Sequence, residues 1–222
     1  MTITRTFVLS TVAALAMAGA ALSATVTVSQ QNKKNVFADA TGKNAWYQTT
    51  SYSLNGIGRT ALAGLFRLTE TTAGGSVTKF VGVCLEPLEW LRLPKAYDES
   101  TPLGASVVGQ LGALLTNALS LVTDAKSAAA FQIAAWEIAN EGGGKLDLGN
   151  GAFRVSAAGH GTKALAQTWL DLIAKGTWRK NNHVMILQAP GTQDLLTDLP
   201  AAGVLLVGAL GGLAAVRRRR TT

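Results

Sequence analysis

Cysteine is almost missing from this chain: Cys84 is the only one in 222 residues. No intramolecular disulfide can form, and one thiol cannot make a cysteine-based metal centre. Histidine is nearly as scarce, with His160 and His183 alone and no ligand spacing between them or toward Cys84, so no metal is expected. No nucleophile elbow is present, and the glycine-rich stretches "EGGGK" and "GNG" lack phosphate-loop spacing and read as a helix stop and a turn. No cofactor motif and no internal repeat stand out. A Cys–His protease would need Cys84 near a helix N-terminus and close to a histidine, but Cys84 closes a strand-like run instead. Glu86 and Glu89 beside Trp90 read as a solvated loop rather than a binding site. Excess positive charge is also largely absent from the body of the chain. The formal charge is +7, but one arginine lies near the N-terminus and four lie at the C-terminus. The remaining 15 basic residues face 13 acidic ones, a net charge of about +2, and no basic stripe points to nucleic acid.

What is present begins at the two ends. Arg5 precedes an apolar stretch from Phe7 to Ala21, followed by small residues, with Ser23 or Ala24 placed to precede a cleavage site. Residues 1–24 therefore read as a secretory signal peptide. The other end, "LPAAGVLLVGALGGLAAVRRRR", has an uncharged run from Ala201 to Val216, a little short of the roughly 20 residues that cross a bilayer comfortably. Arg217, Arg218, Arg219 and Arg220 close it, and such a cluster stays on the cytoplasmic side, so a C-terminal transmembrane helix with the body outside is expected. This tail resembles the C-terminal sorting signals of Gram-negative exosortase systems (the PEP-CTERM class), in particular the variant with a Val-Pro-Leu-Pro-Ala signature. Leu199, Pro200 and Ala201 match, whereas Thr197 and Asp198 stand where that signature has Val and Pro. The resemblance implies a partner exosortase-type enzyme, transient anchoring in the inner membrane, and delivery to the cell surface or extracellular matrix.

Residues 25–196 form the remaining unit, long enough for one sizeable core, and residues 197–222 are assigned to the sorting segment. "ATVTVS", "AWYQTTSYSL", "AGLFRLTE" and "VTKFVGVCLE" read as strands from alternation and β-branched content, with "TTAGG" as a hairpin loop. Pro87, Pro94 and Pro102 predict a loop. Helices are predicted over 106–122, 124–141 (capped by Asp124 and stopped by Gly142–Gly144) and 162–176, the last with Leu165, Trp169, Leu172 and Ile173 inward. A hairpin turning at Gly149-Asn150-Gly151 is expected over 145–156, and a last strand over 182–189. Strands, then helices, then strands point to an α+β fold of mostly antiparallel sheet with a few packed helices.

Within the second helix, Gln132 and Trp136 are one turn apart on one face, with Phe131 on a neighbouring apolar strip. A buried amide needs partners, and a strand backbone could supply them. Together, "VCLEP" and "FQIAAW" also resemble the two motifs of bacterial surface thioester domains: a hydrophobic-Cys-hydrophobic strand, then hydrophobic-Gln-x-x-hydrophobic-Trp on a helix. "GLFRLTE" and "APGTQD" look like segments of the same group. Val83 stands where Tyr, Phe or Leu is usual, and Ala135 where a larger aliphatic is common. The resemblance implies an internal thioester between Cys84 and the Gln132 side chain, with Phe131 and Trp136 beside it. It implies single-turnover covalent attachment to an amine or hydroxyl on a surface or matrix ligand, adhesin-like and without enzymatic turnover. A structural envelope or matrix protein with an inert buried cysteine is the alternative, and an exported hydrolase the third.

Overall fold

A computed structural model describes residues 25–33, 35–37, 45–100, 103–182 and 184–197. The expected signal peptide and the sorting residues Leu199, Pro200, Ala201 and Arg217–Arg220 lie outside these residues. Among the described residues, nine strands and three α-helices follow one another as β1 (Thr25–Gln30), β2 (Tyr47–Leu54), β3 (Ile57–Gly64), β4 (Phe66–Thr72), β5 (Val77–Cys84), β6 (Lys95–Ser100), α1 (Ala105–Ala118), α2 (Ala125–Asn140), β7 (Phe153–Ala157), α3 (Thr162–Ala174), β8 (Met185–Gln188) and β9 (Leu195–Thr197). Six strands close an antiparallel barrel in the order β1-β4-β5-β9-β8-β6. The other three form an antiparallel sheet in the order β3-β2-β7. The α+β class is as expected, and among the described residues no helix is long and apolar enough to cross a membrane.

Alternation explains the barrel. The pairing register puts Val26, Val28, Leu68, Phe80 and Tyr97 on one face, and all five are buried. Gly82 falls on that lining, where an added Cβ would come within 2.6 Å of Leu68 Cδ1. The opposite face of β5 is buried as well, through Val81 and Val83, because α2 lies against that strand. Residues 80–84 are therefore buried without interruption, and Cys84 is the last of them.

The helix α2 is the centre of the molecule, in contact with β2, β3, β5, β7, α1 and α3. Every residue from Ser127 to Ile138 is buried, as expected of a helix that is apolar nearly all round. The alanines Ala128–Ala130, Ala134 and Ala135 let its neighbours approach closely. Its start is fixed by a capping box: Asp124 Oδ1 accepts from the Ser127 N–H at 2.7 Å, and Ser127 Oγ accepts from the Asp124 N–H at 3.1 Å. The Ser127 hydroxyl also donates to Asp124 Oδ1 at 2.6 Å, and that bond, with the one from the Ser127 N–H, holds the Asp124 carboxyl below its ordinary pKa. Gly142 and Gly143, both at positive φ, end the helical run.

Several elements differ from the sequence reading. β3 is a separate strand, joined to β2 by a two-residue Asn55-Gly56 turn with both residues at positive φ. The 95–100 stretch, read as loop, is β6, which closes the barrel by pairing with both β1 and β8. The 145–156 hairpin is reduced to β7, which pairs with β2. Ahead of it, side chains hold the chain: Glu137 Oε1 accepts from the Asp147 N–H, and Gln167 Oε1 from the Leu148 N–H. The helix expected to Val122 becomes a 3-10 turn at Leu119–Leu121. On α3, Trp169 and Ile173 are buried as expected, but Ala166 and Leu170 complete the face, and Leu165 and Leu172 are only partly covered. β9 carries the barrel to Thr197, buried and paired with Gly82, one residue beyond the boundary set at 196.

Candidate functional site

Cys84 and Gln132 meet. They are 48 residues apart in sequence, and the Gln132 carboxamide lies flat against the Cys84 backbone. The Cys84 N–H donates to Gln132 Oε1 at 3.0 Å, and Gln132 Nε2 donates to the Cys84 carbonyl at 2.7 Å. The topology explains why. β4 pairs with β5 only as far as Phe66 opposite Gly82, so Cys84 has no strand partner on the β4 side. A primary amide offers one acceptor and one donor side by side, and Gln132 supplies what a further strand residue would have supplied. A strand backbone is thus the glutamine's partner, and the backbone belongs to Cys84 itself.

Two donors converge on the sulfur. Trp136 Nε1–H points at Cys84 Sγ at 3.3 Å, and the Glu86 amide N–H also bonds it. Burial nevertheless dominates and pushes the thiol pKa up to about 12, assisted by the nearby Glu86 and Asp194 carboxylates and opposed by those two hydrogen bonds. At neutral pH the sulfur is protonated.

Trp136 is held in an aromatic cluster that the sequence did not single out. Tyr52 packs on it at 5.6 Å between ring centroids and on Phe153 at 5.4 Å, and Trp136 and Phe153 lie 6.1 Å apart. The Tyr52 hydroxyl donates to the Pro87 carbonyl at 2.6 Å, tying β2 to the loop that follows Cys84. No motif flags Tyr52; its role comes from β2 pairing beside β7 across α2. Phe131 faces elsewhere: its ring meets Trp169 of α3 edge-on at 6.3 Å. The loop after Cys84 is more structured than a solvated stretch. Glu86 Oε2 accepts from the Asp194 N–H at 2.9 Å, and burial raises the Glu86 carboxyl pKa.

A cavity of about 680 Å³ reaches this cluster from outside. Cys84, Trp136, Tyr52 and Pro87 form its inner end, and Arg59, Leu62, Leu88, Glu89 and Trp90 stand among the residues toward the surface. His160 lines a separate, open depression with Asp147, Lys163 and Gln167, away from the thiol, and His183 lies outside the described residues.

Chemically, the site sets a primary amide on the backbone of the residue that carries the thiol. The side-chain carbonyl oxygen already holds an N–H donor, and indole and amide donors lie on the sulfur. Comparison with known proteins returns no matching family model, no matching curated protein and no matching solved structure.

Proposed function

We propose that this is an exported surface or matrix protein whose Cys84 and Gln132 form an internal thioester for covalent capture of an amine or hydroxyl. The observation that carries the reading is the docking of the Gln132 carboxamide on Cys84 with Trp136 on the sulfur. A primary amide is a poor electrophile, and holding both groups together can lower the barrier by roughly 7–11 kcal/mol. The Cys84 N–H on Gln132 Oε1 polarises the carbonyl and is placed to stabilise the oxyanion of a tetrahedral adduct. In the forming step the S–C bond is made, the C–N bond breaks, and the thiol proton leaves on nitrogen as ammonia. In the capture step an incoming amine or hydroxyl makes its bond to the same carbon, and the sulfur departs and takes a proton. No oxidant or metal enters either step. Burial that raises the thiol pKa also keeps water from the acyl group. The signal peptide and the sorting tail, expected from the two termini, would deliver the domain through the inner membrane and an exosortase-type enzyme to the surface or matrix.

A structural role is the second reading. Two hydrogen bonds to a strand backbone are also what a buried glutamine needs for its own sake. Intact mass separates the two. The thioester protein is lighter than its sequence by one ammonia and gains one methylamine on treatment with that amine, and Gln132→Ala does neither. A wild-type mass equal to the sequence, with a thiol that alkylates normally after unfolding, leaves the structural role. Export is tested separately by fractionating cells and sequencing the termini of the mature protein.

A further inference from the structure

We propose that the free edge of β3 and the cavity beside it form a docking groove for an extended polypeptide carrying apolar residues and an acidic one. The inference goes beyond covalent capture and stands whether or not the Cys84–Gln132 bond forms.

The cavity is lined by four consecutive residues of β3: Arg59, Thr60, Ala61 and Leu62. Successive strand residues point to opposite faces, and the lining also holds Thr49 and Tyr52, the partners of Leu62 and Arg59 on β2, so the cavity covers part of β2 as well as both faces of β3 beside its outer edge. That edge is open among the described residues, because β3 is terminal in the order β3-β2-β7. It is eight residues long, contains no proline, and its first four residues are exposed. Proteins usually blunt such an edge, and one left open is a template for a further strand.

The walls add side-chain chemistry. Three of the exposed large hydrophobics gather at this one cavity: Leu62, Leu88 and Trp90, the last 80% exposed. Exposed apolar groups concentrated at a concave site mark an interaction surface. Aliphatic leucines around a strand edge suit polypeptide side chains better than sugar rings, which are recognised mainly by flat aromatic and polar groups. Arg59 supplies the charge. It makes no ion pair among the described residues, where the single pair is Lys145–Asp147, and its guanidinium bonds only the neighbouring Gly58 carbonyl. It faces the same side of the sheet as Tyr52, its cross-strand partner, and so overlooks the route to Cys84. A carboxylate on the bound segment is its complement. A peptide laid along β3 would send alternate side chains into the cavity, whose inner end is Cys84.

The test uses purified Cys84→Ala protein, so that covalent capture plays no part, and a displayed library of random short peptides. Enriched peptides are expected to alternate apolar residues and to carry an acidic residue. They should bind about tenfold more weakly to Leu62→Asp. On Arg59→Glu, panning should shift enrichment from acidic to basic residues. Both positions are exposed, so these variants fold, which melting curves check. No enrichment, enrichment indifferent to both substitutions, or glycan binding in place of peptide binding on an array overturns the proposal. None of these outcomes bears on the thioester, which the mass measurement decides independently.

Discussion

If Cys84 and Gln132 are joined, the bond is a strut as well as a reactive group, and breaking it without mutation should soften the protein measurably. The cross-link ties the end of β5 to the middle of α2, closing a loop between residues 48 apart. Chain-entropy arithmetic for a closure of that size gives about 4 kcal/mol of stabilisation. For a domain of this length each kcal/mol moves the melting temperature by roughly 2–4 °C, so methylamine should lower Tm by roughly 8–16 °C. The amine replaces the sulfur on the Gln132 carbonyl and frees the thiol, with no side chain removed from the core. Scanning calorimetry of treated and untreated protein, with thiol titration and mass on the same samples, gives the answer. A Tm unmoved by full methylamine incorporation refutes the strut argument. It would mean that the noncovalent contacts of Gln132 and the packing of α2 already fix the two elements. Cys84→Ala is a poorer probe, because it also deletes a side chain that is only 1% exposed.

The remaining predictions concern groups around that bond. Gln132→Ala leaves the Cys84 N–H and carbonyl buried and unpaired, which should cost about 2–6 kcal/mol in urea unfolding at roughly 1–3 kcal/mol for each orphaned group; a cost below about 1 kcal/mol contradicts the partner-strand role. Tyr52→Phe removes the 2.6 Å bond to the Pro87 carbonyl while keeping the ring contacts, and should cost about 1 kcal/mol while speeding methylamine incorporation, read by mass against time. Glu137 is fully buried, and burial, with the nearby Glu141 and Asp147 carboxylates, raises its pKa to about 8 against the Asp147 N–H bond that lowers it. The folded state then keeps a proton that the unfolded chain gives up near pH 4.5, so stability falls as pH rises from 4.5 to about 8. At about 1.4 kcal/mol per pH unit that window allows a loss of up to about 5 kcal/mol, and Glu137→Gln should flatten that slope in urea titrations. Asp124→Ala deletes the capping box of α2 and should lower stability by about 1 kcal/mol.

Much of the local structure was written in the chain. Alternating Val26 and Val28 with polar neighbours specifies a half-buried strand. Asp124 and the glycines after Glu141 bracket α2, and the apolar surround of that helix marks it as central. Cys84 at the end of a strand and Gln132 on a helix face were legible as the chemically interesting pair. Asn55-Gly56 is a hairpin signal legible in the chain, and it is what divides β3 from β2. Other features have no local signature. Lys95–Ser100 sits among prolines and charges and becomes a strand only because β1 and β8 lie on either side to accept its backbone. Leu195–Thr197 is too short to announce itself and is a strand because β5 and β8 hold it. Tyr52 belongs to the site through cross-strand geometry alone. The sequence by itself determined residue types and periodicity, hence which segments are apolar, capped or reactive. Whether the Gln132 amide meets the Cys84 backbone, 48 residues away, depends on where β4 stops pairing with β5 and on which face of α2 meets the gap. Those are long-range packing outcomes, and only the tertiary structure decides them.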